Sequence, residues 1–170
     1  DLLLMSATPI PRTLALTLYG DLDVSTLEEY PVDNRDIVTK VLEEDDKEVF
    51  RYVEQSLKED KRVFVVTPYV NSLKGKNTCE DVFARFNKQF LGRVSLLHGK
   101  LSSEEKEEAL NNFINGETPI LVSTTVIEVG IDVKNANLMV IYDATSFGLA
   151  SLHQIRGRIG RDGNKATCLL

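Results

Sequence analysis

Residues 62–67 read Arg62-Val63-Phe64-Val65-Val66-Thr67, an apolar run that ends in a hydroxyl residue. Residues 119–123 and 138–142 repeat this composition with isoleucine, leucine, valine and methionine. A continuous run of this kind, rather than an alternating one, is typical of strands buried on both faces of a parallel sheet. The three segments therefore predict strands of such a sheet.

Further apolar runs alternate with segments of helical period from residue 36 onward. A last helix is predicted from about Leu149 to Gly157. This alternation predicts right-handed crossovers and an open, mainly parallel α/β sheet with helices on both faces. The remaining predicted strands are residues 36–42, 93–97 and 166–170, and the predicted buried helix faces are Val49, Phe50, Val53 and Leu57, then Val82, Phe83, Phe86 and Phe90, then Ala109, Leu110, Phe113 and Ile114.

Two helix starts carry capping residues. Ser102 and Glu105 have the spacing of a capping box at the start of the third helix. Asp45 and Asp46 stand at the start of the first helix, and we interpret this acidic pair as a solvated cap rather than a magnesium site.

Composition describes an ordinary globular chain of 170 residues, 42% hydrophobic and 27% charged, which excludes disordered, collagen-like and coiled-coil classes. The formal net charge of −6 argues, by itself, against nucleic-acid binding. The charge is segregated, however, since residues 73–100 carry a net charge of +4 and residues 101–117 carry −4. These stretches are either binding patches or simply solvated helix faces.

Nothing in the sequence predicts a membrane span or a signal peptide. Cys79 and Cys168 are isolated, and only His98 and His153 are available to complete a metal set. We therefore expect no metal site, a reducing compartment and a cytoplasmic location. Because the chain begins with Asp1 and ends in an apolar run, we also expect it to be a fragment of a longer protein.

The segment 154–161 is the most informative for function and reads Gln-Ile-Arg-Gly-Arg-Ile-Gly-Arg. A glycine costs roughly 1 kcal/mol inside a helix, so the two glycines predict a helix end that directs guanidinium groups outward. Guanidinium groups match the geometry of phosphate oxygens. The alternative is a basic last turn that complements the helix dipole.

A second segment, 120–133, has a buried strand that ends in Ser123, Thr124 and Thr125, and a glycine-broken turn that presents Asp132. Hydroxyl groups and free backbone amides at such a turn suit phosphate contacts. The alternative makes Thr124 a helix cap and Asp132 an ordinary turn residue.

A third segment is the His98-Gly99 turn, which follows the predicted strand 93–97. Ligands of open α/β sheets bind at the carboxyl ends of the strands, so the loops after Thr67, Leu97, Ser123 and Tyr142 are predicted to form the site.

Taken in order, these segments and residues 6–13 resemble motifs III to VI of superfamily 2 helicases. Within that superfamily the resemblance is strongest to the RecG type of ATP-dependent DNA helicase, which remodels branched DNA and stalled forks in recombination and repair. It implies a RecA-like, P-loop NTPase-like helicase C-terminal lobe in residues 35–170, with the tail of the first motor lobe and the interlobe linker in residues 1–34. The segments closest to the RecG type are 7–23, 126–133 and 147–161.

The resemblance also implies roles for single residues. The implied catalytic residues are the arginine fingers Arg158 and Arg161, with Gln154 coupling the lobes. The implied nucleotide-binding residues are Gly130 and Asp132. DNA binding is implied for Thr67, His98, Gly99, Thr124 and Thr125, and motif III coupling for Ser6, Ala7 and Thr8.

The implied cofactors are ATP and Mg²⁺, held in the intact enzyme mainly by the first lobe and not by this chain. The implied partners are branched or forked DNA and the first motor lobe and wedge domain of the same polypeptide, with no membrane. No GxxxxGK[ST] phosphate loop occurs in the sequence. With the Walker A and Walker B motifs absent, we expect the chain alone to be inactive. The alternatives are the lobe of a transcription-repair coupling translocase and a non-catalytic DNA-binding module.

Overall fold

Six strands form one parallel sheet in the computed structural model, which describes residues 36–43, 46–69, 77–124, 133 and 135–170. The lateral strand order is β1-β6-β5-β2-β4-β3, and every pairing is parallel. The predicted open α/β sheet is confirmed, with strand ends within two residues of those expected. The strands are β1 (Ile37–Lys40), β2 (Arg62–Val66), β3 (Val94–Leu97), β4 (Ile120–Ser123), β5 (Ala136–Ile141) and β6 (Ala166–Leu169).

Helices cover both faces of this sheet. Successive side chains of a strand point to opposite faces, so in β2 Val63 and Val65 join one apolar cluster while Phe64 and Val66 join the other. The first cluster packs under α1 and α2, and the second packs under α3 and α4. The helices are α1 (Asp46–Lys58), α2 (Cys79–Gln89), α3 (Ser103–Asn115) and α4 (Leu149–Arg156).

The start of α3 confirms the predicted capping box. The Ser102 hydroxyl accepts from the Glu105 N–H at 3.2 Å, and the Glu105 carboxylate accepts from the Ser102 N–H at 2.8 Å. These hydrogen bonds, the backbone one foremost, lower the pKa of Glu105. The prediction that Ile114 is buried is wrong, because it is 49% exposed while Phe113 carries the packing against Phe64.

Asp46, the first residue of α1, is not the solvated cap that the sequence suggested. Its carboxylate accepts from the Tyr142 hydroxyl at 2.6 Å and pairs with Arg85 Nε at 3.2 Å. Burial, followed by the bond to Asp46, raises the pKa of Tyr142 well above its usual range, so the phenol stays a donor. Asp45 lies outside the described residues.

The chain divides between Asp33 and Asn34, and all the helices and strands above belong to the unit Asn34–Leu170. Residues 1–34 lie outside the described residues, so their assignment to a first lobe and linker stays a prediction. Within the part of the chain that the structure describes, no helix combines the length and apolarity needed to cross a bilayer.

Candidate functional site

The ends of β3, β4 and β2 lie side by side and form a continuous edge, called here the carboxyl edge. The Thr124 N–H donates to the Leu97 carbonyl at 3.3 Å, and the Thr67 N–H donates to the Ser123 carbonyl at 2.9 Å. Neighbouring strands are about 4.8 Å apart, so His98, Thr124 and Thr67 follow one another across roughly 10 Å. The structure thus brings together three of the residues expected to bind DNA.

The His98-Gly99 turn presents donors at this edge. His98 is 6% exposed, and its Nδ1 accepts from the Lys100 N–H at 3.3 Å. In the neutral ring this bond leaves the proton on Nε2, which can donate to a ligand. Gly99 is exposed, and a Cβ built there would meet no atom within 4 Å, so a ligand backbone can approach it closely.

The threonines of this edge differ in their surroundings. Thr67 is fully buried and its hydroxyl donates to the Tyr69 carbonyl at 3.2 Å. This hydrogen bond holds the turn after β2, and the expected DNA contact of Thr67 stays a prediction. Thr124 is 5% exposed. Thr125 lies outside the described residues.

A polar network behind the carboxyl edge was not predicted from the sequence. Arg85 of α2 pairs with Asp46, donates from Nη2 to Asn77 Oδ1 at 2.8 Å, and lies 5.3 Å from the Tyr142 ring centroid. The Asn77 N–H in turn donates to Asp143 Oδ2 at 3.0 Å. No local pattern reveals these contacts, because they join residues on α1, α2 and the end of β5 that are distant in sequence.

The arginine-rich segment forms a compact turn after α4, called here the arginine turn (Gly157–Gly163). Gly157 caps the helix, and Ile159 is fully buried. Gly160 has φ +68° and donates its N–H to the Ala136 carbonyl at 3.0 Å. Ile155 and Ile159 face the core, whereas Arg158 and Arg161 are half-buried, with Nε of Arg161 buried. The predicted helix end is confirmed.

The arginine turn and the carboxyl edge lie at opposite ends of the sheet. Ala136, which binds the turn, is the first residue of β5, and Tyr142 follows the last. A six-residue strand spans about 17 Å at 3.3 Å per residue. The arginines are therefore separated from His98 and Thr124 by the length of the sheet. Gln154 lies on α4, and Gly130, Asp132 and Ser6 to Thr8 lie outside the described residues.

Neither a metal centre nor a reactive thiol is evident in the described ranges. No group of three or more His, Cys, Asp or Glu side chains there could hold a metal ion. Cys79 and Cys168 are buried and unpaired with each other, and burial raises the pKa of each thiol to about 11. The predicted location of Mg²⁺ on another lobe stays a prediction.

Comparison with known families decides the classification. The profile of the helicase conserved C-terminal domain matches residues 46–163, from the start of α1 through the arginine turn. The chain belongs to this helicase C-terminal domain family. Similar curated proteins are the ATP-dependent DNA helicases RecG of Aquifex aeolicus, 49% identical over 99% of this chain, and of Bacillus subtilis, 43% identical over 100% of it. The chain spans 22% of the length of the Aquifex aeolicus protein and 26% of the length of the Bacillus subtilis protein.

Solved structures agree with that membership. A RecG structure bound to a three-way DNA junction matches 98% of this chain and 22% of its own, with a TM-score of 0.80 and 44% identity. S. cerevisiae Dbp5 bound to RNA and ADP BeF3 matches 93% of this chain and 41% of its own, with a TM-score of 0.66 and 23% identity. The second match supports the fold alone. The helicase C-terminal domain fold is thus RecA-like, as expected.

Proposed function

We propose that this helicase C-terminal domain is the second motor lobe of a RecG-type, ATP-dependent DNA helicase that remodels branched DNA and stalled forks. The observation that carries the proposal is the division of the sheet into two edges. Phosphate-compatible neutral donors stand at the carboxyl edge, and the arginine turn stands about 17 Å away at the amino edge. A motor needs both a nucleic-acid track and a separate nucleotide-responsive element.

The arginine turn serves the nucleotide. Arg158 and Arg161 present guanidinium groups, which match the γ-phosphate and stabilise the charge that develops during hydrolysis. ATP with Mg²⁺, held mainly by the first lobe, supplies the free energy of phosphoanhydride hydrolysis. From the family resemblance, Gln154 couples the lobes and Gly130 and Asp132 border the nucleotide.

The carboxyl edge serves the DNA. Strand phosphates are contacted by the His98 imidazole N–H, the Gly99 backbone, Thr124 and Thr125. These contacts fix the position of the lobe without reading base sequence. Backbone recognition of this kind suits a substrate defined by its branched shape. The RecG relatives are named DNA helicases, and one was solved on a three-way junction. The same DNA-processing role places the enzyme in the cytoplasm.

The partners of the lobe are the first motor lobe and a wedge domain of the same polypeptide, with Ser6, Ala7 and Thr8 as the coupling motif. Because the 170 residues include no phosphate loop, the chain alone does not hydrolyse ATP.

Measuring ATP turnover and fork conversion with forked DNA, linear duplex and no DNA tests the proposal. We expect the full-length polypeptide to turn over ATP fastest with forked DNA and residues 1–170 to show background rates only. Equal stimulation by linear duplex would contradict the branched-DNA assignment. DNA binding without any ATP turnover by the full-length polypeptide would instead indicate a binding module.

A further inference from the structure

A small polar cluster lies directly against the arginine turn, at the amino edge of the sheet. The Asp162 carboxylate accepts from Lys61 Nζ at 3.2 Å, from the Asn164 N–H at 3.1 Å and from Asn164 Nδ2 at 2.7 Å. Three donors thus converge on one carboxylate that immediately follows Arg161. Lys61 comes from the turn that leads into β2, which is 101 residues away in sequence.

The side chains of this ion pair are largely covered, although Asp162 as a whole residue is exposed. The side chains of Lys61 and Asp162 are only 18% and 17% exposed. Burial alone would raise the pKa of Asp162, yet the hydrogen bonds from Asn164 and Lys61 outweigh it and lower that pKa. An exposed pair contributes little because solvent and salt screen it, and enclosure reduces that screening.

Arg161 lies between two fixed points of the backbone. On one side, Gly160 donates to the Ala136 carbonyl at 3.0 Å. On the other, the Gly163 N–H closes the turn onto the Gly160 carbonyl at 3.4 Å, and Asp162 is held by the cluster. Both glycines have positive φ, so the turn is tight, and what holds its far side contributes to the direction of Arg161.

We propose that Lys61, Asp162 and Asn164 are positioning residues for Arg161, because they fix the far side of the turn that directs its guanidinium group. The inference rests on the proposed role of Arg161 in ATP hydrolysis. A displacement of about 1 Å in a group that acts on the transition state can cost on the order of 100-fold in rate. Because the cluster acts through the turn rather than on nucleotide, its removal lowers kcat more than it changes KM for ATP.

Steady-state ATPase kinetics of the full-length polypeptide with saturating forked DNA test this inference. The variants are Lys61→Met, Asp162→Ala and Asn164→Ala, with Lys61→Arg as the conservative replacement and Arg161→Ala as the reference. Asp60→Asn is a matched control, since it removes the neighbouring ion pair with Arg62 and asparagine tolerates the φ of +53° found there. Thermal unfolding is measured for every variant.

We expect kcat to fall about 10- to 100-fold in Asp162→Ala and about three- to tenfold in Lys61→Met, with KM for ATP within about twofold. Lys61→Arg and Asp60→Asn keep wild-type kcat. If Lys61→Met lowers the melting temperature, the kcat of Asn164→Ala decides whether the cluster positions Arg161. Asn164 is exposed, and its truncation leaves the ion pair in place.

The outcomes separate the two proposals. Loss of activity in Arg161→Ala with wild-type kcat in all three cluster variants overturns the positioning role and leaves the proposed function standing. Wild-type kcat in Arg161→Ala overturns the catalytic assignment of that arginine, and the positioning role falls with it. A rise in KM without a fall in kcat also overturns the inference, because it would assign the cluster to ATP binding.

Discussion

The carboxyl edge and the arginine turn share one sheet but are built in different ways. The carboxyl edge consists of strand ends joined by a regular backbone ladder, and its donors are mostly neutral groups such as the Thr124 hydroxyl and the Gly99 backbone. The arginine turn consists of glycine-dependent backbone held by scattered contacts, and its functional groups are charged. Neutral donors on a ladder suit a track that must release phosphates repeatedly, whereas charges in a fixed turn suit one transition state.

Replacing Arg161 by alanine is the change expected to separate the two regions most strongly. We predict a loss of about 10³-fold or more in the DNA-stimulated kcat of the full-length polypeptide, the scale typical of arginine fingers. DNA affinity, measured by fluorescence anisotropy, should stay within about twofold because the turn lies at the far end of the sheet from the track. Arg51→Ala, at an exposed position on α1, is the control. A parallel loss of DNA affinity in Arg161→Ala would show that the regions are not separate.

The backbone of the arginine turn can be tested by its two left-handed glycines. In Gly160→Ala a Cβ would lie 3.2 Å from the Ala166 Cβ as well as at φ +68°, whereas in Gly163→Ala it meets no atom within 4 Å. We predict a loss of about 2–3 kcal/mol in unfolding free energy for Gly160→Ala and about 1 kcal/mol for Gly163→Ala. Urea unfolding measures both. Equal losses of unfolding free energy in the two variants would mean that crowding at Gly160 contributes nothing to the destabilisation.

Thr124→Val removes a hydroxyl from the carboxyl edge while keeping the shape of the side chain. We predict about five- to tenfold weaker DNA binding with an unchanged salt slope, because the lost hydroxyl is neutral and its contact releases no counterions. The kcat at saturating DNA should stay within about twofold. Thr39→Val, at an exposed position on β1, is the control. Unchanged affinity would remove Thr124 from the track.

Gly99→Ala is the mildest test of the same edge. The added methyl group meets nothing in the protein, so stability should not change. If DNA approaches this backbone closely, affinity should fall about threefold, on the order of 0.6 kcal/mol. Titration of forked DNA together with thermal unfolding checks both expectations. Wild-type affinity would indicate that the strand passes elsewhere.

The regular part of this molecule was predictable because its signals are local. Apolar runs such as residues 62–67 placed the strands, and the Ser102 to Glu105 spacing placed the capping box of α3. Parallel strands align their carboxyl ends, so the meeting of His98 and Thr124 followed from the fold class. The glycines of 154–161 likewise predicted the helix end after α4.

The remaining features of the fold and of the candidate site depend on contacts that no local sequence pattern encodes. Asp46 looked like a solvated cap because its partners, Arg85 and Tyr142, become neighbours only when the sheet forms. The burial of Thr67 and the bond of its hydroxyl to the Tyr69 carbonyl likewise have no signal in the sequence. Lys61 has no sequence signal for its contact with Asp162.

Photocrosslinking to forked DNA tests the division of the sheet most directly. Exposed lysines on the two edges, Lys100 and Lys165, are each replaced by cysteine in a full-length polypeptide free of other reactive thiols, and a photoreactive group is attached. Cys79 and Cys168 give little background, because they are buried and the pKa of each thiol is about 11. We predict crosslinks from position 100 and none from position 165. Equal crosslinking from both positions, or crosslinking from position 165 alone, would contradict the assignment of DNA to the carboxyl edge.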